Sequence, residues 1–304
     1  MGCSSPLYMI KLGLKENGKQ NLIFASQVKS NLLLSTDELM ERYGDRLVPV
    51  PCGKCLGCRL DHAKEWAVRC VLESLDHVDN CFITLTYDEQ HVPNHLIKSH
   101  LSGFLKRLRA AHPEKTIRFF GCGERGTESN RPHYHAIIFG YDFKDREYLK
   151  SDGVSAVYRS KELERLWKFG MSSVGDVTLE SCSYVARYSQ KKVNKTFPDE
   201  FLLMSRRPGI GFNWFQEHKG RIYLSDHVYG AFGHSHEASV PTYFDKLAEK
   251  DGFDLSTVKD ERIRRAKMYG ILNKYYAHVE HVEQLNKLTE DLLIQRIKSL
   301  RRYL

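Results

Sequence analysis

Two histidines stand two residues apart, His133-Tyr134-His135, inside an apolar run that ends at Gly140. On an extended segment side chains alternate with period two, so both imidazoles fall on one face. Imidazoles placed there can converge on one divalent cation. A catalytic cation wants a third protein ligand, and Glu124, which ends the preceding apolar segment, is the candidate. Hairpin pairing of the two segments would bring it beside His133. Two imidazoles and a carboxylate leave positions open for a phosphate oxygen and water, and the cation would then polarise the phosphate as a Lewis acid. Mg²⁺ or Mn²⁺ suits that work, and zinc is chemically possible. The same spacing recurs at His234-Ser-His236 in a Gly/Ser context that reads as a surface loop.

A second constellation follows about fifty residues later: Tyr184-Val-Ala-Arg187-Tyr188-Ser-Gln-Lys191-Lys192. At about 100° per residue, Tyr184, Tyr188, Lys191 and Lys195 fall in one stripe of a helix. Leu179, Cys182, Val185, Ala186 and Val193 take the opposite half, so the tyrosines are expected away from the buried back. A phenol with a pKa near 10 is a poor nucleophile at neutral pH. Neighbouring cations favour the phenolate and hold phosphate charge, and Lys191 and Lys192 can do both. Attack by tyrosine would make a phosphotyrosine ester and release a 3′-hydroxyl. The phosphodiester is exchanged and not hydrolysed, so no nucleotide cofactor is needed. No Gly-x-x-x-x-Gly-Lys-Ser/Thr phosphate loop occurs in the chain.

A third cluster, Cys52-Gly-Lys-Cys55-Leu-Gly-Cys58, has the spacing of a zinc site, with Cys3 as a possible fourth thiolate. An iron–sulfur cluster is a less favoured use of the same residues. Cys70, Cys81, Cys122 and Cys182 sit at apolar positions or near the hairpin and read as packing residues.

These groups need elements to hold them. A chain of 304 residues has ample core, and its 46 Lys and Arg against 38 Asp and Glu give a net charge of +8, which suits a phosphate-bearing partner. No apolar run is long enough to span a bilayer, and Met1–Tyr8 lacks the features of a signal peptide, so a reducing cytoplasm is expected. Residues 1–50 look irregular. A helical stripe then runs from Ala63 to Leu75, and a strand covers Cys81–Tyr87. A second helix carries Ile97, Leu101, Phe104, Leu105 and Leu108. Strands at 116–124 and 132–140 flank a turn-type loop, and a helix near 160–168 and a strand near 171–177 precede the tyrosine helix. The order β-α-β-β-α-β plus a helix predicts an α+β fold, a split βαβ (ferredoxin-like) antiparallel sheet flanked by helices. Residues 195–245 are mixed, with a turn-prone stretch at 206–211, and from about Ser256 the chain is charged and helical. The expected organisation is an N-terminal Cys-cluster segment and helix at 1–78, a core at 79–215 and a charged, largely helical region at 216–304.

In combination these residues resemble the HUH endonucleases, and more narrowly the replication initiators of gokushovirus-like microviruses. Pro51–Cys58, Phe82–Tyr87, Arg131–His135 and Tyr184–Lys191 carry the resemblance, with Met204–Gly211 also similar. It covers roughly residues 1–215 in order. The resemblance implies metal ligands at His133, His135 and Glu124 and catalytic residues at Tyr184, Tyr188 and Lys191. It implies a nick at a single-stranded or supercoiled viral origin, with one tyrosine joined to the 5′ end and the other attacking when the origin is regenerated. Arg187 stands where the related pattern often has a second lysine. DNA contacts are expected from Arg187, Lys192, Lys195, Arg206 and Arg207. Host helicase and polymerase would be partners, in the host bacterial cytoplasm and without a membrane. Two enzyme alternatives are a relaxase or transposase of the same chemistry and a metal phosphodiesterase that uses water. A non-catalytic, zinc-stabilised DNA-binding protein is the third.

Overall fold

The computed structural model describes residues 3, 7–14, 20–33, 36–126, 130–151, 156–187, 199–230, 233–276 and 294. They divide into two compact units. One lies within Met1–Arg59 and Asp254–Leu300, the other within Leu60–Phe253.

The first unit contains β1 (Leu7–Leu14), β2 (Gln20–Phe24), α1 (Ala25–Leu32), α2 (Thr36–Tyr43) and β3 (Leu47–Val50). The strands form an antiparallel sheet in the order β2-β1-β3. Its small core is Ile10, Ala25, Leu39 and Leu47. The sequence reads as irregular here, yet a sheet forms. Leu7, Leu12, Leu14 and Phe24 are all exposed, so apolar residues occupy the outward positions too and erase the period-two signal.

In the second unit come α3 (Leu56–Leu75, which begins in the first), β4 (Asn80–Thr86), α4 (Lys98–Ala111), β5 (Arg118–Arg125) and β6 (Pro132–Phe139). They are followed by β7 (Glu147–Ser151), β8 (Ala156–Arg159), α5 (Lys161–Trp167), β9 (Ser172–Gly175), α6 (Leu179–Arg187) and β10 (Phe201–Met204). The remaining elements are α7 (Phe212–Ser225), β11 (His227–Gly230), β12 (Gly233–Ser239) and α8 (Thr242–Lys250). A helix α9 (Ser256–Tyr276) returns to the first unit, where Lys11 Nζ lies 3.3 Å from Asp260 Oδ1.

Seven strands form one sheet in the order β10-β5-β6-β4-β9-β8-β7, each antiparallel to its neighbours. The inner four, threaded by α4 and α5, follow the split βαβ order. Cys81, Ile83, Leu85, Tyr134, Ala136 and Ile138 face α4 and α5, which contribute Leu101, Phe104, Leu163 and Trp167. Ser160 caps α5 by accepting from the Leu163 amide at 3.1 Å.

Helices cover the other face as well. There Phe120, Cys122, Ile137 and Phe139 pack on Ala63, Ala67 and Cys70 of α3 and on Cys182, Val185 and Ala186 of α6. That double cover explains why β6 is buried almost throughout, as its unbroken apolar run requires. The hairpin β7–β8 leaves no pattern in the sequence because β7 is exposed along its whole length. His234 and His236 lie in β12, paired with β11, and not in a loop as their Gly/Ser context suggests.

Candidate active site

The β6 histidines are placed by strand register. His133 lies opposite Glu124 of β5 and Thr86 of β4, and His135 lies opposite Cys122 and Thr84. Directly opposed residues share a face, so all six project toward the α3 and α6 side. On that face Thr84 Oγ1 is 3.0 Å from His135 Nδ1, and Thr86 Oγ1 is 3.3 Å from His133 Nδ1. One nitrogen of each imidazole is therefore engaged by a threonine of β4. The alternate threonines of Phe82-Ile-Thr-Leu-Thr-Tyr87 are the signal in the sequence for this support, absent from the expectations above.

The far side of His135 meets the carboxylate: His135 Nε2 lies 2.8 Å from Glu124 Oε1. Glu124 thus pairs with His133 in register, while its side chain reaches diagonally to His135. Both Glu124 and His135 are buried. The His135 ring stacks on Phe82 with centroids 5.8 Å apart, and the two histidine rings are 6.4 Å apart.

Helix α6 adds Tyr184 to the same cluster. Its hydroxyl donates to Glu124 Oε1 at 2.9 Å, and its ring meets His135 edge-on at 4.9 Å. Cys182, Val185 and Ala186 form the buried back of α6 as expected. Tyr184 lies off that back, and its half-buried side chain rests against the histidine strand. Burial first, and the Glu124 charge and hydrogen bond second, push the Tyr184 hydroxyl well above the ordinary phenol range. The Arg187 guanidinium, 5.1 Å from the tyrosine ring, acts in the opposite direction. His133 is displaced downward, by burial first and then by His135, against the pull of Glu124. A depressed imidazole is neutral and has a lone pair for a cation.

Tyr188, Lys191, Lys192 and Lys195 lie outside the described residues. Arg206 and Arg207 are exposed, in the turn after β10. Met204 pairs with Phe120, and the Ser205 amide donates to the Phe119 carbonyl. The two arginines therefore lie past the far end of β5, on the order of 20 Å along the strand from Glu124.

Cys3, Cys52, Cys55 and Cys58 come together in the first unit, with ligand atoms all within 4.8 Å of one another. They could hold a metal such as zinc. Among the described residues, no other group of three or more His, Cys, Asp or Glu side chains gathers its ligand atoms so closely. No described helix is long and apolar enough to cross a membrane.

A family model for the replication-associated protein ORF2/G2P matches residues 80–193, from β4 to beyond α6. Replication-associated protein ORF2 of Spiroplasma virus 4 is 35% identical over 241 residues, covering 72% of this chain and 74% of the relative. Replication-associated protein ORF4 of Chlamydia phage 1 is 32% identical, covering 90% of this chain and 74% of the relative. The chain belongs to the microvirus replication-associated proteins. VP4 of Bdellovibrio phage phiMH2K, also a replication-associated protein, is 31% identical over 66% of this chain and 68% of its own length. No solved structure matches. For this microvirus family member, the segment matched by the family model includes Glu124, His133, His135 and Tyr184, while the four cysteines lie before it.

Proposed function

We propose that this chain is the replication initiator of its phage, an HUH-type nickase that cuts a viral origin by tyrosine attack and so primes rolling-circle synthesis. The observation that carries the reading is the chain of contacts Tyr184–Glu124–His135 on one face of the sheet, with Tyr184 Oη and His135 Nε2 within 2.9 and 2.8 Å of the same carboxylate oxygen. A candidate nucleophile and candidate metal ligands that share an atom belong to one site.

The donor set fits a hard divalent cation. His133 is held neutral and both Nδ1 atoms are taken by threonines, which fixes each ring and leaves Nε2 to point away from β4. His133, His135 and Glu124 would hold Mg²⁺ or Mn²⁺, which supplies Lewis-acid polarisation of the scissile phosphate. Since Glu124 Oε1 and His135 Nε2 now bond each other, occupying this set means parting that hydrogen bond.

The rest of the chemistry falls to the chain itself. With its pKa raised, Tyr184 rests as a neutral phenol, and its proton has an acceptor in Glu124. Arg187 beside the ring works toward the phenolate and can meet a phosphate oxygen. Attack by Tyr184 Oη forms a new P–O bond and breaks the bond to the 3′ oxygen, which takes up a proton and leaves as a 3′-hydroxyl primer. One phosphoester replaces another, so no nucleotide is consumed. Tyr188 would serve as the second nucleophile and Lys191 as a supporting cation. Viral single-stranded or supercoiled origin DNA, host helicase and host polymerase complete the proposed setting in the bacterial cytoplasm.

The test is incubation with Mn²⁺ and end-labelled single-stranded origin DNA, followed by a denaturing gel. A labelled band at protein mass is expected, absent from the Tyr184→Phe/Tyr188→Phe double variant. Cleavage without an adduct would assign the attack to water, and a native-gel shift without cleavage under any metal would leave a DNA-binding module.

A further inference from the structure

We infer that Cys3, Cys52, Cys55 and Cys58 bind one Zn²⁺ as a closed tetrathiolate site, which fastens the start of β1 to the turn between β3 and α3. The sulfur spacing is the first argument. A tetrahedral zinc with Zn–S bonds of about 2.3 Å holds its sulfurs about 3.8 Å apart. Cys55 Sγ lies 3.8 Å from Cys3 Sγ, and Cys52 Sγ lies 3.9 Å from Cys58 Sγ. All four sulfurs fall within 4.8 Å of one another. The thiolates of a four-iron cluster are kept farther apart, because an iron–iron edge lies between the ligated metals.

Backbone amides aimed at the sulfurs are the second argument. The amides of Lys54 and Cys55 donate to Cys52 Sγ at 3.4 and 3.3 Å, and the Cys58 amide donates to Cys55 Sγ at 3.5 Å. The Cys52 amide donates to Cys3 Sγ at 3.3 Å. Such donors offset thiolate charge and orient the ligands, the support that metal sites draw from their surroundings. Gly53 makes the turn possible: its φ of +71° is strained for any L side chain, and it folds the Lys54 and Cys55 amides back over Cys52.

Four thiolates close the coordination sphere, so the ion has no open position for substrate and its work is structural. Cys3 precedes β1 by four residues, and Cys52 follows β3 by two. Since Leu7 pairs with Val50, the ion would tie the two strands at one end of their ladder. A metal clip across forty-nine residues restricts the unfolded chain much as a disulfide does.

The full-length protein, purified without chelator, should contain one zinc per chain by elemental analysis. Cobalt exchanged into it should give tetrahedral d–d bands with thiolate charge transfer. Cys3→Ser and Cys55→Ser should retain less than about a tenth of an equivalent after dialysis, and Cys3→His should recover zinc. His135→Ala should keep the full equivalent, which separates this site from the proposed nicking site. A folded chain without zinc, a cobalt spectrum lacking thiolate bands, or an iron–sulfur absorbance would overturn the proposal. Should the serine variants fail to fold, the metal content and cobalt spectrum of the unaltered chain decide the matter.

Discussion

The histidine face of the large sheet and the cysteine turn of the smaller unit are two candidate metal sites built on opposite plans. The cysteines have already converged, with amides trained on their sulfurs. On the histidine face the donors bond to neighbours and to one another: threonines on Nδ1, a carboxylate on His135 Nε2, and a tyrosine on that carboxylate. Soft, closed donors make a structural clip, whereas hard, separable donors leave space for a phosphate and a nucleophile. Glu124 is the hinge of the second plan, since His135 Nε2 and Tyr184 Oη both meet its Oε1.

The sharpest way to break this contrast is to remove a donor from the histidine face. His135→Ala should lower nicking by at least about 10²–10³-fold while DNA binding persists, as compared by denaturing and native gels on the same origin DNA. Undiminished nicking would dissolve the proposed site. The supporting threonines come next. Thr84→Val and Thr86→Val remove only the hydroxyls on Nδ1, and each should weaken Mn²⁺ dependence or activity by about 10–100-fold in a metal titration of the nicking rate. An unchanged titration would reduce the threonines to packing residues.

Proton linkage gives a gentler test. Because burial and His135 depress His133 in the folded protein, protonating it favours the unfolded chain. Its contribution is present above its unfolded value of about 6.5 and is lost as pH falls through the lower folded value. In the His133→Gln variant, the decline of melting temperature on acidification across that window should be shallower than in the wild type. The smallest effect on chemistry is expected at Arg206 and Arg207, far along β5 from Glu124. Arg206→Ala/Arg207→Ala should weaken DNA binding in a salt-dependent manner, with the log–log slope falling by about one per lost phosphate contact. Nicking at saturating DNA should hold, and a collapsed rate would place these arginines at the reaction centre.

The parts of this arrangement that could be read from the sequence are those in which one residue pattern has one physical solution. β-Branched and aromatic residues in Cys81–Tyr87 and the helical stripe at Leu101, Phe104, Leu105 and Leu108 mark β4 and α4. Strand-spaced histidines then had to share a face. A helical wheel gives α6 its apolar back and sets Tyr184 off it, but it cannot say what lies over that other side, which is His135. Register placed Glu124 beside His133, yet the choice of His135 as its partner depends on side-chain reach across the diagonal. The sheet of residues 7–50 and the β7–β8 hairpin expose much of their surface, and exposed strands carry little periodic signal.

The most direct test of the central claim is peptide mass spectrometry of the covalent complex formed with Mn²⁺ and origin DNA after nuclease trimming. A nucleotide phosphate on Tyr184 or on Tyr188, four residues later in the sequence, lost in the His135→Ala variant, is the predicted result. Complete cleavage with every tyrosine unmodified, or an adduct on a tyrosine elsewhere in the chain, would contradict the account.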